Sequence, residues 1–270
     1  MNLSTLLVPT QDKHPIVANI PHCGTYIPHS IRKNFKRDPK PVLVSHDWYL
    51  DRLYDFLPAL GVTVLYANYS RYVVDLERDI AAPNFGSFMS SIVYEDTMWG
   101  KTLYEIEPTQ SEVEGRINQY YIPYHEQLGE LLSMMIREFG RAYLLDLHSF
   151  FGHPYVDASE ISTEVELGNR HGTTCSEHFI VCFEKALRTH GFRVASNELW
   201  RGGYVAQHYG SMDNVECLSI EIRLPVYLDQ EYFGEEEVTE WDSDRFRIAK
   251  TRLLKVFGDA IDELCCHQVS

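Results

Sequence analysis

The chain has 270 residues, of which 44% are apolar, 13% aromatic and 23% charged, a balance typical of ordinary globular proteins and unlike disordered, fibrous or membrane chains. Its 39 Asp and Glu against 24 Lys and Arg give a formal net charge of −15, which argues against a nucleic-acid-binding surface because phosphate contact needs a basic face. Six cysteines without a C-x-x-C pair argue against a disulfide scaffold or a zinc finger and read as free thiols.

The length suits one domain spanning residues 1–270, with no internal repeat, low-complexity tract or linker. No apolar run approaches the roughly 18–20 residues that cross a bilayer, and the start "MNLSTLLVPTQDKHP" lacks a basic segment followed by a sustained apolar one. The expectation is a cytoplasmic protein with no membrane partner.

In chain order, the first strand expected is 15–20 (PIVANI). Pro41 then opens a helix over 41–59, carried by Leu43, Leu50, Leu53 and Leu57. Two strands follow at 62–67 (VTVLYA) and 72–76 (YVVDL), then an aperiodic stretch at 80–110, a long excursion of the kind that often serves function. Ser111-x-x-Glu114 reads as a capping box at the start of a helix over 111–139, which Pro123 should kink or split. Next come a strand at 142–147 (AYLLDL), a weaker one at 163–167, and a helix over 176–189 stopped by Gly191. Strands at 192–196 and 217–223 and a helix over about 243–264 complete the chain. Such alternation is the layout of a sheet covered by helices, an α/β fold.

Chemistry collects at strand ends. His22 and His148 each follow an apolar run, and in open α/β sheets ligands gather beyond the carboxyl ends of the strands. In "SHDWYLD", Asp47 and Asp51 stand four apart, on one face of the expected helix. Asp47 could join His22 and His148 around Zn²⁺ with an open position for water, and His46 is a rival ligand from the same turn. Glu221, in the alternating strand "LSIEIR", shares a face with Arg223 and suits general-base work, because an apolar setting raises a carboxylate's pKa. Arg71 and Arg78 flank the apolar run 72–76. They could hold an acidic substrate and stabilise an oxyanion, or pair with Asp75, Glu77 or Asp79.

As an ordered set, several motifs resemble the N-formylglutamate amidohydrolase (deformylase) family, a relative of the zinc carboxypeptidases and aspartoacylases. They are Pro21-His22-x-Gly24, Asp47-x-x-x-Asp51, Arg71 with Val74-Asp75-Leu76-x-Arg78, Pro123-Tyr124-His125, His148-Ser149, Gly202-Gly203-Tyr204 and Glu221-Ile222-Arg223. The resemblance implies a three-layer α/β/α sandwich around a mixed sheet, as in the zinc carboxypeptidases. It implies zinc ligands His22, Asp47 and His148, with Asp47 in place of a carboxypeptidase glutamate. It implies Glu221 as general base, Arg71 polarising the scissile carbonyl, Arg78 gripping the substrate carboxylate, and Tyr204 in the substrate-binding set. Two positions depart from the family pattern. Glu77 stands where relatives usually carry Asn, which should weaken the attraction of Arg78 for an anion, and His46 replaces a commonly acidic residue.

The function expected is therefore a zinc-dependent amidohydrolase of amino-acid metabolism. It would release formate, or another small acyl group, from an acidic N-acyl amino acid such as N-formylglutamate. The rivals are a zinc peptidase or amidase acting on a peptide or peptidoglycan fragment, and a noncatalytic binding protein of the same fold.

Overall fold

The computed structural model describes residues 2–10, 12–37, 43, 45–152, 160–229 and 237–266. Its strands are β1 (Ser4–Leu7), β2 (Ile16–Ile20), β3 (Thr63–Ala67), β4 (Phe85–Gly86), β5 (Val93–Tyr94), β6 (Ala142–Phe150), β7 (Val165–Gly168), β8 (Val194–Ser196) and β9 (Val215–Arg223). All but β4 and β5 join one seven-stranded sheet in the order β1-β3-β2-β6-β9-β7-β8. β1 runs antiparallel to β3 and β7 antiparallel to β9, while the β3-β2-β6-β9 block and the β7-β8 pair are parallel, so the sheet is mixed.

Every residue of β2 is buried, as expected of a parallel strand covered on both faces. The two-residue period of β6 sorts its side chains between two cores. Leu145 and Leu147 face α5 (Glu177–Thr189) and α7 (Asp244–Cys266), where Phe179, Phe183 and Phe257 pack. Ala142 and Leu144 face α4 (Ile122–Phe139) and α6 (Tyr204–Gly210), where Leu128, Leu132 and Val205 pack. The result is three layers, α/β/α, and the same alternation turns Asp146 and His148 toward the α4 and α6 side.

Three local expectations need correction. Residues 72–76 are not a strand: Tyr72, Val73, Val74 and Leu76 are buried, but in consecutive turns wrapped around Asp75. The helix expected over 41–59 shrinks to α2 (Leu50–Leu53) and a 3₁₀ turn at Leu57–Leu60, and positions 41, 42 and 44 lie outside the described residues. Tyr49 enters α2 in the left-handed region at φ 59°, a conformation no helix interior contains. The capping box lies two residues earlier than expected, with Thr109 capping α3 (Gln110–Arg116) through the Glu112 N–H while Glu112 bonds back to the Thr109 N–H at 2.8 Å. The helix expected over 111–139 is split, as expected, next to Pro123, which stands in the first turn of α4. The proline has no N–H to give the preceding turn, and a π turn at Ile117–Tyr121 absorbs the defect between α3 and α4.

Among the described residues no helix is long and apolar enough to cross a membrane. Cys23, Cys175, Cys182 and Cys217 are free thiols.

Candidate active site

Three segments converge at the carboxyl ends of the central strands. β2 delivers His22, the 45–49 turn delivers Asp47, and β6 delivers His148. The Asp47 N–H donates to the His22 carbonyl at 3.0 Å, which ties the turn to the end of β2. Gly24 lets the loop after β3 come equally close, because a Cβ there would lie 2.5 Å from the Tyr69 carbonyl oxygen. The rings of His22 and His148 have centroids 5.2 Å apart.

Nδ1 of each imidazole faces Asp47 Oδ2, at 3.8 Å for His22 and 3.0 Å for His148. Their Nε2 atoms point to other carboxylates. His22 Nε2–H donates to Asp75 Oδ1 at 2.6 Å, since an ionised carboxylate can only accept, and His148 Nε2 lies 3.2 Å from Asp146 Oδ2. Asp146 is fixed in turn by Asn19, which donates to its Oδ1 at 2.8 Å and accepts from the Tyr124 hydroxyl at 2.7 Å. Each ring thus has a buried acid on Nε2 and presents Nδ1 to a third acid, the arrangement that orients histidine around a cation. Donor atoms of His22, Asp47 and His148 all lie within 4.8 Å of one another, close enough to hold a metal ion. Glu77, Asp146 and His148 form a second such trio on the other nitrogen of the shared ring.

The electrostatics follow from burial and neighbouring charge. Burial lowers the His22 pKa to about 4, assisted by the Arg71 guanidinium. Burial acts the same way on His148, but the Asp146 carboxylate, with help from Asp47 and Glu221, overrides it and holds the ring well above the usual histidine range. Burial would raise Asp75, yet Arg78, Arg71 and His22 together hold its carboxyl well below the usual range. Burial pushes Glu221 up to about 8, against the opposing pull of His148.

Glu221 lies directly across the β6-β9 ladder from His148, and its side chain lines a cavity of about 850 Å³ that also reaches His22, Asp47 and His148. Among the described residues no hydrogen bond or ion pair engages the Glu221 carboxylate, whereas Arg223 donates to the Ile161 carbonyl. The cavity's apolar lining comes largely from the 80–110 excursion and the end of β6, through Phe88, Met89, Met98, Trp99, Phe150 and Phe151.

Several residues singled out in the sequence have other duties. Both ring nitrogens of His46 are engaged, Nδ1 with the Leu43 carbonyl at 2.9 Å and Nε2 with Ser70 Oγ at 2.7 Å, so Asp47 is the residue of that turn that meets the two histidines. Asp51 is not on a shared face with Asp47; it lies within α2, 3.4 Å from the Arg52 guanidinium. Arg71 and Arg78 line the cavity but both pair with Asp75, at 3.0 and 3.3 Å. Arg71 also donates to the Ser45 carbonyl and Tyr94, and Arg78 to the Phe88 and Glu77 carbonyls. The carboxylate of Glu77 points away from Arg78: Oε1 accepts the Val205 N–H at 2.9 Å, and Oε2 lies 3.9 Å from His148 Nε2. Tyr204 is not among the lining residues; its ring packs on His208 and His125 beside α4. His125 is a brace, with Nε2 donating to the Leu76 carbonyl at 3.0 Å.

Asp146, Asn19 and Tyr94 were not singled out in the sequence. Asp146 had a readable signal, since two residues before His148 on a strand means the same face. Asn19 and Tyr94 had none, because only tertiary packing brings them to their partners.

The model of the N-formylglutamate amidohydrolase family matches residues 14–228. An N-formylglutamate deformylase of Pseudomonas aeruginosa is 30% identical over 223 residues, 80% of this chain and 83% of that protein. One of Pseudomonas putida is 26% identical over 230 residues, 82% and 84% of the two chains. The crystal structure of N-formylglutamate amidohydrolase from Ralstonia eutropha JMP134 superposes with a TM-score of 0.86 at 26% identity, covering 100% of both chains. Sequence, fold and the convergence of motifs on one cavity agree: the chain belongs to the N-formylglutamate amidohydrolase family.

Proposed function

We propose that the protein is a zinc-dependent amidohydrolase that releases formate from an acidic N-formyl amino acid, with N-formylglutamate as the leading substrate. The observation that carries this reading is the pairing of two buried imidazoles, each with an acid on Nε2 and Nδ1 turned to Asp47, next to an unpaired Glu221. Two nitrogens and one carboxylate oxygen are the donor set of a catalytic zinc site, and His22, Asp47 and His148 would hold the ion. This trio is favoured over Glu77, Asp146 and His148 because it uses both imidazoles and leaves Asp75 and Asp146 to orient them. When bound, such a cation supplies Lewis acidity and lowers the pKa of water toward ~7.

The remaining work falls to the chain itself. Glu221, raised by burial and free of partners, takes the proton of the attacking water and returns it to the departing amine. Arg71 and Arg78 bring two positive charges against the one negative charge of Asp75, and the surplus draws the substrate's carboxylate and the developing oxyanion toward the cavity floor. The apolar lining limits water around the scissile amide.

The test is formate release from N-formyl-L-glutamate by protein whose metal content has been measured, before and after chelation and after readdition of Zn²⁺. Protein that carries stoichiometric zinc but releases no formate would overturn the deformylase reading. A cavity of about 850 Å³ exceeds what a formyl group and one glutamate fill, which supports a second reading with a larger acyl or peptidyl group. A panel of N-formyl, N-acetyl and dipeptidyl glutamates separates the two.

A further inference from the structure

N-formylglutamate is a dicarboxylate, and one cationic locus cannot hold both of its carboxylates. The Arg71 and Arg78 guanidiniums form one locus, because Asp75 sits between them and also binds His22. Their donors are largely committed, to Ser45, Tyr94, Phe88 and Glu77 as well as Asp75. A third arginine lines the cavity. Arg201 is exposed, and among the described residues no acid or carbonyl engages its guanidinium.

The backbone beneath Arg201 is fixed although its side chain is free. Its carbonyl accepts the Arg170 N–H at 2.8 Å, and the next carbonyl, of Gly202, accepts from the Arg170 side chain at 3.1 Å. Gly202 adopts φ +95°, a region that favours glycine. On the inner side, a Cβ at Gly203 would lie 2.2 Å from Glu77 Oε1, and one at Gly168 would lie 2.6 Å from the Arg201 carbonyl carbon. Three glycines therefore press this loop against β7 and Glu77, and a cation with spare donors stands on a rigid base at the cavity rim.

We propose that Arg201 is the specificity-determining residue that binds the side-chain carboxylate of the substrate, leaving the α-carboxylate to the Arg71 and Arg78 locus. The assignment rests on the deformylase reading and follows from reach. The α-carboxylate is one bond from the carbon that bears the amide, so it stays near the cations linked through Asp75 to His22. The side-chain carboxylate carbon is three bonds from that same carbon and meets the rim. A guanidinium suits it because it offers two parallel N–H donors to one carboxylate.

The experiment compares kcat/KM for N-formyl-L-glutamate and its neutral isostere N-formyl-L-glutamine in the wild type, R201Q, R201K and R201E. The expected result is that the glutamate-to-glutamine ratio falls about tenfold in R201Q, carried by KM, is partly restored in R201K, and falls further in R201E. A ratio within twofold of wild type in R201Q and R201E overturns the proposal. Calorimetric binding of L-glutamate and L-glutamine gives a readout without turnover. If R201Q weakens glutamate binding about tenfold and leaves glutamine unchanged while no N-formyl amino acid is hydrolysed, the Arg201 assignment stands and the deformylase reading fails. If formate is released and neither ratio moves, the deformylase reading stands and the Arg201 assignment fails.

Discussion

His22 Nε2 and Asp75 Oδ1 lie 2.6 Å apart, and the same carboxylate carries Arg71 and Arg78 on its other oxygen. One fully buried aspartate therefore sets the tautomer of a proposed metal ligand and gathers two cations that line the cavity. The arginines of "SRYVVDLER" are tolerated inside the protein because both pair with the buried Asp75 carboxylate.

Replacing Asp75 with Asn keeps the shape and removes the charge. The two guanidiniums then lack a counter-ion, and removing one partner from a buried ionic network costs about 3–5 kcal/mol. Zinc affinity should fall by about 10–100-fold, because His22 loses the acid that orients it. Urea unfolding of the metal-free protein measures the first effect and chelator competition the second. Unaltered values in D75N would remove Asp75 from both roles.

Glu221→Gln is isosteric and cannot accept a proton. Formate release should fall by about 10²–10⁴ at saturating substrate, with zinc content and thermal stability close to wild type. Loss of zinc together with activity would instead make Glu221 part of the metal site.

The central strands and the two histidines were legible in the sequence because burial on both faces writes an apolar run, and the polar residue that follows such a run lies toward the carboxyl end of its strand. Residues 72–76 misled for the same reason. Val73, Val74 and Leu76 are as buried as strand residues, but turns around an acid bury side chains equally well, and an apolar run of that length does not specify its backbone. Asp47 was placed in the right company with the wrong backbone, since the apolar spacing of Leu50, Leu53 and Leu57 extends a helix pattern past the short α2. The role of Glu77 was illegible: its neighbour in the chain is Arg78, yet its side chain bonds the Val205 N–H 128 residues away.

Glu77→Gln and Glu77→Ala separate hydrogen bonding from charge. Burial and the nearby Asp146 carboxylate raise the Glu77 pKa well above its usual range, so its negative charge is disfavoured where it stands. The amide of Gln still accepts the Val205 N–H, and E77Q should be at least as stable as wild type. E77A leaves that buried N–H without a partner and should lose about 1–3 kcal/mol. Thermal unfolding of the three proteins decides; an E77A as stable as E77Q would show that the hydrogen bond contributes nothing.

His125 gives a pH test away from the proposed ligands. Burial lowers its pKa to about 4, below the ordinary value of 6.5, so the unfolded chain binds a proton that the native one refuses between those values. Its contribution is therefore intact above about pH 6.5 and is lost as the pH falls toward 4. In H125Q, whose amide can still donate to the Leu76 carbonyl, stability should fall less steeply between pH 6.5 and 5 than in wild type. Urea titrations at pH 5, 6 and 7.5 measure both slopes, and parallel slopes would exclude His125 as a titrating group.

Gly24→Ala tests whether the approach of two loops creates the site. The added Cβ would sit 2.5 Å from the Tyr69 carbonyl oxygen and 2.7 Å from that of Ala67, and both obstacles are backbone that no rotamer change can clear. The loop after β3 must then withdraw from the end of β2, which stretches the His22 bond to Asp75. Overpacking of this kind costs about 1–3 kcal/mol, so G24A should fold with reduced stability. It should also bind zinc more weakly than that loss alone explains, because the orienting acid has moved while every proposed ligand is retained. Calorimetric zinc titration of folded G24A measures this, and wild-type affinity would mean that His22 keeps its orientation without the close packing of the two loops.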